Sequence, residues 1–324
     1  MSAVRLNALV FVVCSALAVG VVWLGLRRPA PAPRLPRASA LSAVPEGAIL
    51  IATLDARKLL ATRLGAALIG GGGELPGLGP IADVCGFDPT LELERLTFAV
   101  PSASNAERDT PIDFGLAGYG RFSSASVAGC ASTLIQRRSG SPVTTKIGSF
   151  AAVRSRSGSY GELAVRDGGP VLLGGGHYLR EMIDAADGRL PSASSDQRHK
   201  ALRRSLGEDA TLLATCILPR GWLERLVDDA AVARSPLSAI ENAALRLDVG
   251  ARVEATLALG CPTLTACADL KQSLGSLVES ALEERLPGAK NRLRIDDANK
   301  QIRLTFWLEE AEAIALASSA LKGL

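Results

Sequence analysis

The sequence predicts an α+β protein: an N-terminal transmembrane helix, then two similar halves, each a mainly antiparallel sheet with helices packed on one face. Three observations carry that expectation. A long uncharged apolar run, Leu6 to Leu26, stands at the start of the chain. Short apolar strands separated by tight polar or glycine turns recur after residue 44, as in antiparallel hairpins. The order strand, helix, hairpin, helix, hairpin, helix reads twice, from residue 47 and again from residue 209.

The apolar run is 21 residues long; at about 1.5 Å per residue it reaches roughly 31 Å, enough to cross a hydrocarbon core. A signal sequence cut after Ala16-Leu17-Ala18 is the rival reading, but the apolar run continues past that point. Residues 1–28 therefore read as a membrane anchor, and 29–43, "PAPAPRLPRASALSA", as a Pro-rich linker. Prolines favour an extended spacer that holds a domain off the bilayer. Residues 44–206 and 207–324 form the two α+β halves.

Arginines flank the anchor on both sides, more of them after it, and taken alone the positive-inside rule places the bulk of the chain in the cytoplasm. The cysteines and the spacer argue for the opposite side. The reading adopted is a single pass of the inner membrane with a periplasmic or extracytoplasmic ectodomain. From residue 44 on there are 31 basic and 33 acidic residues, scattered, with few aromatics; this excludes a nucleic-acid binder.

Each element has a local justification. "GAILIATL" (47–54) is a strand, and "DARKLLATRLGAALIG" (55–70) a helix with Leu59, Leu60, Leu64 and Leu68 on one side. "GGGELPGLGP" (71–80) is a loop. "LTFAV" and "FGLAGYGRF" are strands, followed by the helix "SVAGCASTLIQRR". "GELAVR" and "PVLLGG" form a hairpin about Asp167-Gly168-Gly169, and "HYLREMIDAA" is the helix that ends this half. In the second half, "DATLLATCIL" (209–218) is a strand and "PRGWLERLVDDAA" (219–231) a helix with Pro219 suited to its first turn. "ALRLDVG" and "RVEATLAL" alternate as a hairpin. "PTLTACADLKQSLGSLVESALEERL" (262–286) is a long helix whose apolar face is Leu270, Leu274, Leu277, Val278, Ala281 and Leu282. "RLRIDDANKQIRLTFWL" is a hairpin, and "EEAEAIALASSALKGL" the last helix.

The anchor, the Pro-rich spacer, the "VPEGAILIATLD" opening and the paired halves resemble uncharacterised single-pass envelope proteins of bacteria with a duplicated α+β ectodomain. The resemblance covers most of the chain and implies neither an activity nor site residues.

Five cysteines lie beyond the anchor: Cys85, Cys130, Cys216, Cys261 and Cys267. Two readings stand: two disulfides with one buried thiol, or five unpaired core cysteines. If bridged, the pairs are Cys261–Cys267 and Cys85–Cys130. Zinc is disfavoured, because only His177 and His199 are present and their spacing matches no common site. Asp228-Asp229 and Asp296-Asp297 read as a helix end and a hairpin turn, and Ser319-x-x-Lys322 as part of the C-terminal helix without companion motifs. No cofactor motif is found.

Gly174-Gly175-Gly176 joins a strand to a helix. The lysine and hydroxyl of a P-loop are missing after it, and Leu179 stands where a dinucleotide site needs a small residue. Gly175, Gly176 and His177 are left as an anion-contact candidate at a helix N-terminus. "DQRHKALRRSLGED" (196–209) reads as a solvated helix, with Arg198, Lys200, Arg203 and Arg204 as the alternative docking face for an acidic partner. The expected function is that of a membrane-anchored, non-enzymatic envelope protein, an interaction or accessory module with an envelope protein partner. The alternative is a binding protein for an apolar or lipidic ligand held between the halves.

Overall fold

The structure is a computed structural model that describes residues 41–69, 74–75, 79–88, 92–102, 114–157, 161–219, 236–286 and 288–322. The anchor, most of the linker and all but Pro219 of the helix expected at 219–231 lie outside the described residues. Among the described residues, no helix is long and apolar enough to cross a membrane.

The first strand, β1 (Leu50–Asp55), is followed by α1 (Ala56–Leu60) and α2 (Arg63–Ile69). This pair replaces the single helix expected over 55–70. Asp55 caps α1 by accepting the Lys58 N–H at 3.0 Å, and Thr62 accepts the Gly65 N–H at 3.0 Å, which starts a second helix. A Cβ on Gly65 would lie 1.9 Å from the Leu59 carbonyl oxygen, so the break depends on glycine there. The Glu310 carboxylate, distant in sequence, accepts the Arg63 N–H at 2.9 Å and holds α2 in place.

Two-residue strands β2 (Glu74–Leu75) and β3 (Gly79–Pro80) pair within the expected loop, ahead of α3 (Ile81–Cys85). Next come β4 (Leu93–Val100), β5 (Gly115–Gly120) and α4 (Ser124–Arg137). A hairpin absent from the sequence expectation follows, β6 (Pro142–Ile147) and β7 (Phe150–Ser155), turning at Gly148 with φ +58°. β8 (Glu162–Val165) and β9 (Val171–Gly174) turn through Gly168 with φ +65°, and α5 (Gly176–Ala186) and α6 (Gln197–Leu206) complete this part.

The remainder runs β10 (Leu212–Ile217), β11 (Asn242–Val249), β12 (Arg252–Gly260), α7 (Leu264–Arg285), β13 (Leu293–Ala298), β14 (Gln301–Glu309) and α8 (Glu310–Lys322). Asn299 and Lys300 adopt positive φ and close the β13–β14 turn.

Apart from β2 and β3, the strands form one twelve-stranded antiparallel sheet in the order β13-β14-β12-β11-β10-β1-β4-β5-β9-β8-β7-β6. β1 and β10 pair at its middle, Leu50 opposite Cys216 and Leu54 opposite Leu212. The sheet is therefore continuous across residue 206/207.

Helices cover both faces, which corrects the expectation of one covered face. Phe150, Ala152, Ala164, Leu172, Ala117 and Ile51 pack with Tyr178, Leu179, Met182 and Ile183 of α5. On the same face, α6 places Leu202 and Leu206 against Leu213, Ala244 and Ala258. Successive side chains point to opposite faces, and the neighbours of those residues, Leu257 and Leu259, pack instead with Leu270 and Leu274 of α7. On that second face Val253 and Leu308 meet Leu64 of α2 and Ala313 of α8. The reason is in the strands: apolar residues occupy both alternations, as in Ala151, Ala152 and Val153.

The chain docks before residue 44. Ala43 and Val44 are fully buried, Ser42 and Tyr119 hydroxyls lie 3.1 Å apart, and the Val44 carbonyl accepts the Ala193 N–H at 2.7 Å. The last linker residues thus belong to the folded body.

Candidate functional site

The disulfide pairs are Cys85–Cys130, with Cα atoms 4.4 Å apart, and Cys261–Cys267, at 5.5 Å. The first ties α3 to α4, and the second ties the end of β12 to the first turn of α7. Cys216 is a free thiol, and burial raises its pKa to about 11.

The glycine corner makes a close approach between helix and sheet. A Cβ on Gly115 of β5 would meet Met182 Sδ at 2.2 Å, and one on Gly174 would meet the Phe114 carbonyl at 3.1 Å. Gly175 is the N-cap of α5 in extended conformation (φ −106°), and Gly176 opens the helix. His177 points away from the core, 81 % exposed, with Nε2 3.1 Å from Glu181 Oε1. A carboxylate beside the imidazole weakens the attraction for an anion.

The other pairs resolve into ordinary contacts. Asp296 is 2.7 Å from Arg294, and Asp297 pairs with Lys271. Asp228 and Asp229 lie outside the described residues, as do the side chains of Ser319 and Lys322. Among the described residues, no group of three or more His, Cys, Asp or Glu side chains stands together as a metal site would require.

The polar centre of the molecule is elsewhere, in the stretch read as a solvated helix. α6 starts at Asp196, whose carboxylate accepts the Arg198 N–H at 2.9 Å, and stops at Gly207 with φ 83°. Its buried face is His199, Leu202, Arg203 and Leu206, the 3-1-3 spacing of one helical stripe. Arg198 and Arg204 stay at the surface, but His199 is fully buried and Arg203 only 8 % exposed. The two leucines are the signal that marks this face in the sequence.

His199 bridges the segment that leads into β1 and strand β10. Nε2 lies 2.8 Å from the Ala48 carbonyl oxygen, which only accepts, so this nitrogen carries the proton. Nδ1 then accepts from the Thr215 hydroxyl, also at 2.8 Å. Burial lowers the His199 pKa; Arg198 and Arg203 act in the same direction, against Ala48 and Asp196. The imidazole is held neutral.

One turn later Arg203 lies over β1. Its Nη1 donates to Thr53 Oγ1 at 3.4 Å, a long bond for a guanidinium with five N–H donors. Burial lowers its pKa, with Glu208 opposing. Beside it opens a crevice of about 250 Å³ where β1, β4, β10 and α6 meet. Arg203, Lys200 and Arg95 bring positive charge to its wall, and Asp55, Glu208 and Asp209 negative charge. Two of these acids have partners: Asp55 lies 3.7 Å from Arg95, and Asp209 lies 2.5 Å from Lys58.

No family model and no curated protein matches this chain. One solved structure, described as "Structure of crystal form I of TP0453", is similar with a TM-score of 0.47 and 14 % identity, over 87 % of this chain and 96 % of that one.

Proposed function

We propose that this chain is a membrane-anchored, non-enzymatic envelope protein whose ectodomain serves as an interaction or accessory module on the extracytoplasmic side. The observation that carries the reading is the pair of disulfides, since such bonds persist in oxidising compartments. Docking of residues 41–45 into the core fits the same reading, because the spacer then leads directly into a rigid body. The acids of the central crevice also support a non-catalytic role, since Asp55 and Asp209 are engaged in ion pairs.

The duplicated organisation is part of the proposal. Outward from the middle, β1-β4-β5-β9-β8 runs in the same order of connections as β10-β11-β12-β14-β13, and the hairpin β6–β7 is extra at one edge. The test of sidedness uses Gln272→Cys, an exposed position on α7. An impermeant maleimide is expected to label it in intact cells once the outer barrier is opened. Labelling that requires rupture of the inner membrane overturns the orientation. Crosslinking from the same position then reports the partner.

A second reading, a ligand-binding protein, is favoured by the crevice at the β1–β10 junction. Its charged lining supports a polar ligand there in place of the apolar one expected from composition.

A further inference from the structure

We propose that the crevice under α6 binds a small zwitterion, a free amino acid or short peptide, with its carboxylate on Arg203 and Lys200 and its ammonium toward Glu208 and Asp55. The inference deepens the ligand-binding reading and is independent of membrane sidedness.

Four observations lead to it. Arg203 is nine-tenths buried yet, among the described residues, spends its guanidinium on one hydrogen bond of 3.4 Å. A buried charge without good partners is costly, and a planar carboxylate is the group a guanidinium fork matches bidentately. Lys200 lines the same crevice from one turn earlier on α6, so the helix brings two cations to it, while Arg95 of β4 is paired with Asp55. Acids line the same crevice, Asp55 from β1 beside Arg95 and Glu208 from the loop after α6. A phosphate, with its greater negative charge, meets repulsion from these acids, whereas a ligand ammonium gains from them. The volume, about 250 Å³, is below the roughly 300–1,000 Å³ of pockets for drug-sized ligands, which selects a molecule of amino-acid or dipeptide size.

The experiment screens the free L-amino acids and the alanyl dipeptides, with inorganic phosphate and succinate as controls, by thermal unfolding of the full-length protein in detergent. Calorimetry of the best binder follows. At least one zwitterion is expected to raise the midpoint saturably. Its amide, which lacks the carboxylate, and its N-acetyl derivative, which lacks the ammonium, are each expected to bind about tenfold or more weakly, the scale of one lost charge-assisted contact. Arg203→Gln is expected to abolish binding. Because Arg203 also packs in the core, Lys200→Gln and Glu208→Gln, at half-exposed and exposed positions, give a second reading, each weakening binding several-fold without shifting the unliganded midpoint. The proposal is overturned if no zwitterion shifts the midpoint, if binding survives Arg203→Gln and both rim variants unchanged, or if phosphate or succinate binds as tightly as the best zwitterion.

Discussion

His199 makes this protein's stability depend on pH in a window that no carboxylate occupies. The imidazole is buried and neutral, its Nε2–H donated to Ala48 and its Nδ1 accepting from Thr215. The groups that face it are Asp196, Arg198 and Arg203, and burial is the dominant cause of its lowered pKa. The sign follows from linkage. In the unfolded chain the imidazole takes up a proton below about pH 6.5, whereas the folded chain resists it. The unfolded state then binds more protons, so stability is complete above pH 6.5 and is lost as pH falls from there toward the folded pKa. One such group contributes a slope of at most about 1.4 kcal/mol per pH unit. His199→Leu removes the slope. It also leaves the Thr215 hydroxyl and the Ala48 carbonyl without their partner, at about 1–3 kcal/mol each, so the variant starts roughly 2–6 kcal/mol less stable at pH 8. The assay is urea unfolding of the full-length chain by far-UV circular dichroism, at half-unit steps from pH 8 to pH 5. Wild type is expected to lose stability through pH 6 while His199→Leu stays level. Equal slopes for the two proteins refute the neutral-imidazole assignment.

Other substitutions probe separate parts of the fold. The Cys85→Ser/Cys130→Ser double variant frees a 45-residue separation and is expected to lose about 4 kcal/mol, against about 2 kcal/mol for Cys261→Ser/Cys267→Ser with its separation of 6, both read from denaturant midpoints. Gly65→Ala raises intrinsic helix propensity by about 1 kcal/mol, yet should destabilise the protein, because the new Cβ falls 1.9 Å from a backbone oxygen; a gain in melting temperature contradicts the break between α1 and α2. The Cys216 thiol, with its pKa raised to about 11, is expected to react with a disulfide reagent at pH 8 far more slowly in the native chain than in urea. The Asp187 carboxylate is held below its ordinary value: burial opposes this, and the Ser149 hydroxyl, Arg189 and Arg166 outweigh it. Asp187→Asn should therefore cost about 1 kcal/mol at pH 7 and progressively less as pH falls through the carboxylate range, by urea unfolding.

What was legible in the sequence is what local chemistry decides. The turn at Asp167-Gly168-Gly169 needs positive φ at one residue, and Gly168 supplies it. The alternation in β11 and β12 and the leucine face of α7 follow from the same short-range periods. The break between α1 and α2 was not legible, because the carboxylate that caps α2 belongs to Glu310, at the other end of the chain. The hairpin β6–β7 was missed because its first strand, "PVTTKI", lies at the sheet edge and carries no apolar alternation. The central polar site was misread for a related reason. Charged residues on α6 suggested water on all sides, but the acceptors for His199 and Arg203 sit about 150 residues away, at Ala48 just before β1 and Thr53 within it. Only the spacing of Leu202 and Leu206 hinted at the buried stripe.

The placing of those polar groups has a structural consequence. β1 and β10 join the two parts of the sheet, and their register is written in residues that are mostly small or aliphatic: Ile51, Ala52 and Leu54 opposite Thr215, Ala214 and Leu212. Hydrophobic burial alone discriminates weakly among registers of such strands, since apolar residues occupy both faces. A slip of one residue would turn Thr53 and Thr215 to the opposite face. His199 would then be buried without its Thr215 donor and Arg203 without Thr53, each at the cost of an unsatisfied polar or charged group. The bonds from α6 thus penalise the slipped pairing more than they stabilise the native one. Replacing both ends of a bond tests this. His199→Leu with Thr215→Val should recover part of the stability lost in His199→Leu alone, because no hydroxyl is left unpaired. Amide exchange in β1 and β10 should nevertheless be faster than in wild type, since only the long Arg203–Thr53 bond then opposes the slip. Wild-type protection of both strands in the double variant would mean that packing by itself fixes the register.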